Sequence, residues 1–239
     1  LGVHYLTRED NTAAKAGNLN AAMQHAHGDL VLVLDCDHVP THDILQQTVG
    51  FFIADPKLFL VQTPHFFINP TPVERSTDAL SNISQESDLF FREIHRSLDF
   101  WNASYFCGSA AVLRRKLLDE VGGIAGQTIT EDAETSFQLH SRGYNSLYYG
   151  RPMVCGLSPE NYSDYFVQRS RWAQGMIQLL IFNNPLFTRG LSFAQRLCYF
   201  NFSFYWFFGL ARIMFLLAPI LVLMFHVRIY FATPQQVLT

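Results

Sequence analysis

The stretch Val31-Leu-Val-Leu-Asp-Cys-Asp-His-Val-Pro40 (VLVLDCDHVP) decides how the chain is read. Its apolar run is typical of a strand buried on both faces, yet it ends in two carboxylates spaced i, i+2. A buried carboxylate is costly unless something positive meets it, so a cation is expected beside Asp35 and Asp37. On an extended chain, residues i and i+2 point the same way. In open α/β sheets, ligands bind beyond the carboxyl ends of the strands, which is where this pair falls. Two such carboxylates suit a hard divalent cation such as Mg²⁺, completed by phosphate oxygens. The alternative is a plain turn, because Asp often follows strands for local hydrogen bonding. The pair alone leaves both readings open.

Outward from this stretch, strand and helix alternate. Val3 to Leu6 is a short strand candidate. Leu19, Ala22, Met23 and Ala26 repeat at helical spacing over 18–26, and Gly28 closes that helix. Leu30 to Leu34 is the strand, Pro40-Thr41 opens a helix burying Ile44, Leu45, Val49 and Phe52, and Leu58 to Gln62 is a further strand. This order predicts an α/β layer with a largely parallel sheet. Residues 64–75 (PHFFINPTPVER) hold three prolines and are not regular helix. A polar helical stretch is expected to about Leu98, then a short strand at Tyr105-Phe106, a helix near Arg114 to Val121 and a Gly-Gly turn. Thr130 reads as the N-cap of a helix ending at Gly143.

The 239 residues, 49% hydrophobic and 15% charged, suffice for one sizeable core with a small appendage. A net charge of −3 and dispersed Lys and Arg argue against a nucleic-acid partner. Four separated cysteines with no C-x-x-C pair argue against a zinc site or disulfide scaffold and fit a reducing compartment. Mean hydropathy is +0.09, and the excess collects near the C-terminus: Cys198 to Val227 carries one formal charge, Arg212. Roughly 20 apolar helical residues cross a bilayer. An amphipathic interfacial helix to about Gly209 and a spanning helix from about Ile213 to Val227 are therefore expected, with a buried core helix as the alternative. The expected division is 1–190 for the α/β part and 191–239 for the membrane-directed part.

Other residues could carry chemistry. Lys15 precedes a helix that could face a diphosphate, or is a solvated surface lysine. Glu131 and Asp132 open a helix, where acidic residues complement the macrodipole without further role, although either could take a proton if one lies within reach. In Gln168-Arg-Ser-Arg-Trp172, Arg169 and Arg171 could fork onto phosphate and Trp172 could face a sugar ring; the bland reading is an amphipathic helix with snorkelling arginines. Cys107, in Tyr105-Phe-Cys-Gly-Ser109, has no activating neighbour evident in the sequence.

Taken in order, K-A-G-N-L-N, D-C-D, Y-F-C-G-S, T-E-D and Q-R-S-R-W followed by a membrane segment resemble the processive family 2 glycosyltransferases, and most of all their bacterial cellulose synthase branch. The likeness covers essentially the whole chain. It implies a GT-A fold and inverting transfer from UDP-glucose to a growing β-1,4-glucan chain. By that likeness Asp37 would ligate Mg²⁺ (or Mn²⁺), Asp35 would contact nucleotide or sugar, and Lys15 would contact the donor diphosphate. Asp132 would be the general base, with Glu131 beside it in the substrate site. Gln168, Arg169 and Arg171 would serve the diphosphate and acceptor end, with Trp172 stacking on the terminal glucose. Cys107 would be a wall of the acceptor site. Tyr105 stands where the family usually has Phe.

The family's first strand and early Asp-Asp motif would precede Leu1, and its other membrane helices, gating loop and cyclic-di-GMP-binding domain lie outside these residues. The 239 residues alone are accordingly expected to be inactive. The resemblance further implies a multi-pass protein of the bacterial inner membrane with a cytoplasmic catalytic part, lipid contact and a periplasmic cellulose synthase subunit as partner. Rival readings are a hyaluronan, chitin or mannose-containing glucan synthase, or a catalytically silent membrane-anchored relative.

Overall fold

The computed structural model describes residues 2–76 and 86–225. It forms two compact units, Leu1–Ser203 and Phe204–Thr239.

The first unit is built on two small sheets. Strands β1 (Leu30–Val33), β3 (Leu58–Gln62), β5 (Ala111–Arg114) and β6 (Asn145–Tyr148) form one sheet in the order β1-β5-β3-β6. Here β1 and β3 both run antiparallel to β5, and among the neighbouring pairs of this sheet β3 and β6 alone are parallel. The expectation of a largely parallel sheet is corrected: β5 enters between β1 and β3 in the opposite sense. The second sheet orders β2 (Val39–Pro40), β7 (Val154–Gly156) and β4 (His65–Phe67). Pro40 thus ends a short edge strand instead of opening a helix.

The strand buried along its whole length is β3, not β1. A register break between Leu58 and Leu60 disturbs its alternation. Phe59 and Leu60 join Phe106, Leu113, Leu118 and Leu139 in one cluster, while Leu58 and Val61 join Phe52 and Val112 in another. Helices α1 (Ala14–His25) and α6 (Arg115–Val121) cover the first cluster, and α2 (Ile44–Ala54) covers the second. Leu45, expected inside, is exposed, and Thr48 takes the buried place, its hydroxyl donating to Ile44 O.

After α3 (Pro72–Ser76), the expected polar helix is found as α4 (Glu86–Asp88), a π-helical stretch Leu89–His95, and α5 (Arg96–Phe100); its earlier part lies outside the described residues. Residues 3–6 and 105–106 are irregular, not strand. The base-candidate helix is α7 (Glu131–Ser141), preceded by Thr130, whose side chain makes no capping bond. Helix α8 (Tyr162–Phe182) carries the Q-R-S-R-W stretch, and Asn161 caps it by accepting the Asp164 N–H.

Helix α9 (Phe193–Tyr205) buries Gln195, Tyr199 and Ser203 at a spacing of four. Tyr199 lies 2.7 Å from His140 Nδ1, and Gln195 donates to Asn102 O at 2.6 Å, so its inward face is polar while Phe193 and Leu197 point outward. In the second unit α10 (Phe208–Phe225) has a mean hydropathy of 2.3 over 18 residues and none of them buried. Its length and composition suffice to cross a bilayer. The expected end at Val227 lies outside the described residues.

Candidate active site

Asp35, Cys36 and Asp37 sit in a turn closed by the His38 N–H on Asp35 O at 3.0 Å. The chain is therefore not extended there, and the two carboxylates meet different partners, which corrects the idea that they share one direction. Asp35 pairs with Lys15 Nζ, and the same ammonium donates to Gly108 O at 2.7 Å. The cation demanded by the opening stretch is thus in part a lysine. Asp37 is exposed, and its carboxylate accepts the Leu157 N–H at 3.2 Å.

The Tyr105–Ser109 segment is the hub of the site. Ser109 Oγ accepts the Asp35 N–H at 2.8 Å and lies 2.7 Å from His38 Nδ1. Gln62, fully buried at the end of β3, brackets the segment: its Oε1 accepts the Cys107 N–H and its Nε2 donates to Ser109 O, each at 2.9 Å. From α7, Ser136 Oγ accepts the Phe106 N–H at 2.8 Å. Gly108 adopts φ +80°, a conformation that favours glycine. A Cβ there would come within 3.2 Å of Asp132 Oδ2 and 3.5 Å of Lys15 Nζ. The bare backbone at Gly108 therefore brings the α7 carboxylate and the Lys15–Asp35 pair to one place.

Asp132 is half-buried by accessible surface, and the burial of its carboxyl, helped by the neighbouring Glu131 charge, raises it to about 7; Lys15 and the Ala133 N–H, which donates to Oδ1 at 2.8 Å, act in the opposite sense. A carboxyl tuned to neutrality can accept a proton at physiological pH.

Cys107 has a partner that its sequence neighbourhood hid. Its Sγ lies 3.2 Å from His95 Nε2, brought there by the π-helical stretch. This is not an activated thiolate. Burial and the Asp132 charge push the thiol well up, and burial lowers His95 to about 3, so neither ionises near neutrality. Half-buried His65, its ring lowered by desolvation to about 4, lies 3.0 Å from Ser109 O and completes a neutral wall.

On α8, the Arg169 guanidinium stacks 5.0 Å from the Tyr165 ring and 4.6 Å from the Trp172 ring. Arg171 is exposed and Gln168 half-buried, and neither has a hydrogen-bond or ion-pair partner among the described residues. The structure thus joins Lys15, Asp35, Cys107 and Asp132 through one segment, and leaves Asp37, Gln168 and Arg171 with unused polar capacity. Gln62, Ser136 and His95 are the site residues that sequence reasoning missed. Only Gln62, a polar residue ending a buried strand, left a visible signal.

No three-residue cluster of His, Cys, Asp or Glu suited to a metal occurs among the described residues. The donor present, an exposed carboxylate, fits a hard cation that draws its remaining oxygens from a phosphate ligand.

Residues 30–233 match the family model described as glycosyl transferase family group 2. The chain is 44% identical over 237 residues to a UDP-forming cellulose synthase catalytic subunit of Pseudomonas fluorescens (strain SBW25), covering 99% of this chain and 32% of that protein. It is 47% identical over 213 residues to the one from Xanthomonas axonopodis pv. citri (strain 306), covering 89% and 29%. The chain thus spans about a third of the length of these relatives. Among solved structures it is similar to the Pyrobaculum calidifontis mannosyltransferase PcManGT in complex with GDP-Man and Mn²⁺ (TM-score 0.59, 20% identity, 84% of this chain and 51% of that one) and to S. aureus TarS 1–349 (TM-score 0.51, 13% identity, 86% and 54%). These two likenesses show the fold, the GT-A glycosyltransferase fold. The matched span takes in the Asp35–Asp37 turn, the Tyr105–Ser109 hub, Asp132 and the Gln168–Trp172 stretch, and the chain belongs to glycosyl transferase family group 2.

Proposed function

We propose that the parent of this chain makes a β-1,4-glucan, cellulose, by inverting transfer of glucose from UDP-glucose. The observation that carries the reading is the meeting, at Gly108, of a carboxyl raised to about 7 with the Lys15–Asp35 pair. The similarity to UDP-forming cellulose synthases supplies donor and product.

In this reading Asp132 takes the proton of the acceptor 4-hydroxyl as that oxygen attacks the donor anomeric carbon from the face opposite UDP. Its buried surroundings keep the carboxylate basic enough for the task. Lys15 and exposed Arg171 face the nucleotide diphosphate and Asp35 the nucleotide or sugar beside it, with Glu131 and Gln168 in the same substrate site. Trp172 stacks on the terminal sugar, and Arg169 acts through that ring. Cys107 shapes the acceptor wall as a neutral thiol. Asp37 would hold Mg²⁺, with Mn²⁺ as substitute, which neutralises charge developing on the leaving UDP.

Residues 1–190 are read as the catalytic core and 191–239 as the part that meets inner-membrane lipid, the core lying on the cytoplasmic side of a multi-pass parent. A periplasmic cellulose synthase subunit and cyclic-di-GMP, bound by a domain outside these residues, belong to the same reading. By itself the 239-residue chain does not transfer sugar.

The test is product analysis with the full-length parent in isolated membranes, supplied with radiolabelled UDP-glucose, Mg²⁺ and cyclic-di-GMP. Insoluble product cut by a β-1,4-glucanase supports cellulose. Product that resists the glucanase, with UDP-GlcNAc or GDP-mannose outcompeting UDP-glucose, moves the assignment to another processive synthase.

A further inference from the structure

We propose that Gly175 and Gln178 of α8 are positioning residues for Asp132, gripping the turn that presents it. This rests on the reading of Asp132 as the base.

Gly175 is buried, and the α8 backbone passes hard against Thr130 at this point. A Cβ on Gly175 would fall 2.5 Å from both Thr130 Oγ1 and Thr130 Cγ2 and 2.6 Å from the Thr130 backbone nitrogen. Real Cβ atoms essentially never come within 3.0 Å of such neighbours. One of the atoms met is main chain, so a rotamer change cannot clear it, and any side chain at 175 must drive α8 and residue 130 apart.

The next turn of α8 makes the grip directional. Gln178 Oε1 accepts the Ile129 N–H at 2.9 Å, and the Thr130 hydroxyl lies 3.9 Å from Met176 Sδ. Residues 129 and 130 are thereby held from α8, two residues before Asp132. Within α7 itself, Glu134 Oε2 accepts the Thr128 N–H at 2.8 Å and ties the same turn from its other side.

The arrangement has a consequence for chemistry. Gly175 lies one helical turn beyond Arg171 and Trp172, so a contact made without a side chain sets the spacing between those residues and Asp132. A displacement of α8 would move the carboxylate relative to the acceptor and admit water beside it. The charged groups that act on Asp132 are Glu131 on α7 and Lys15 on α1, and the titratable groups that feel its charge are Tyr105 and Cys107 in the hub. None lies on α8, so Gly175→Ala and Gln178→Leu reach the carboxyl by geometry and hydration rather than by charge.

The experiment uses the full-length parent in membranes, comparing Gly175→Ala, Gln178→Leu, Gln178→Glu and Asp132→Asn. kcat and KM for UDP-glucose and the pH profile of kcat/KM are measured. Gly175→Ala and Gln178→Leu are expected to lower kcat at least tenfold with KM within twofold, and to move the acid limb to lower pH. Gln178→Glu keeps the acceptor for the Ile129 N–H and is expected to recover most of the Gln178→Leu loss. Unchanged kcat in Gly175→Ala and Gln178→Leu, while Asp132→Asn is dead, overturns the positioning role alone. So does a loss in Gln178→Leu that Gln178→Glu fails to restore. Activity retained in Asp132→Asn overturns the base assignment and this inference with it.

Discussion

Removing the Glu131 charge should move the pH dependence of sugar transfer in a calculable way. Asp132 stands at about 7 against an ordinary 3.8, burial being the larger cause and the Glu131 charge the second. That rise corresponds to about 4 kcal/mol against ionisation. Glu131 is the lesser of the two raising causes and itself half-buried, so removing its charge leaves the larger part, burial, in place. Glu131→Gln should therefore bring the acid limb of kcat/KM, which reports the free enzyme, below about 7 while leaving it above the ordinary 3.8. With a displacement of about one unit, the ionised fraction of the base at pH 6 would grow about fivefold, from roughly a tenth to a half. Initial rates of radiolabelled sugar incorporation between pH 5 and 8.5, each variant scaled to its own plateau, provide the assay. An acid limb that stays in place, or moves upward, refutes the assignment of the titrating group.

The same carboxyl makes a stability prediction. A buried acid with a raised folded-state pKa binds its proton more tightly folded than unfolded, so stability falls as pH climbs from about 4 through 7 and the loss is complete above that. Asp132→Asn should thus unfold at a higher temperature than the parent at pH 8, with the difference shrinking below pH 6; equal midpoints at both pH values would contradict the buried carboxyl. Tyr199→Phe leaves His140 Nδ1 without its partner in a fully buried place, and should cost about 1–3 kcal/mol by denaturant unfolding. Alkylation at pH 8 followed by peptide mass spectrometry should find exposed Cys36 modified at least tenfold faster than Cys107, whose thiol is held protonated; equal rates would count against the neutral wall.

Local patterns carried much of the fold. The apolar runs at Leu58–Gln62 and Leu30–Val33 and the helical spacing over α1 were legible because burial imposes a period on sequence, and α7 was legible from Thr130 before it and Gly143 after it. Strand direction was not: nothing in Ala111–Arg114 says that it inserts antiparallel between β1 and β3, since that choice rests on contacts distant in the chain. The Asp35–Asp37 pair announced a cation, but the Lys15 partner lies 20 residues away and reaches it only because the Tyr105–Ser109 hub also accepts the ammonium. The His95–Cys107 contact depends on a π-helical stretch whose extra residue per turn has no sequence period of its own. Gly175 looked like one helix residue among many, and its role appears only from the closeness of Thr130.

The role of Asp132 as base is tested by separating donor binding from transfer in the Asp132→Asn parent. UDP-glucose binding by calorimetry and sugar incorporation in membranes would be measured on the same preparation. Donor affinity is expected within about threefold of the parent and incorporation reduced at least a thousandfold, as for a group needed only when the acceptor hydroxyl loses its proton. Incorporation within tenfold of the parent, at unchanged affinity, would contradict that role.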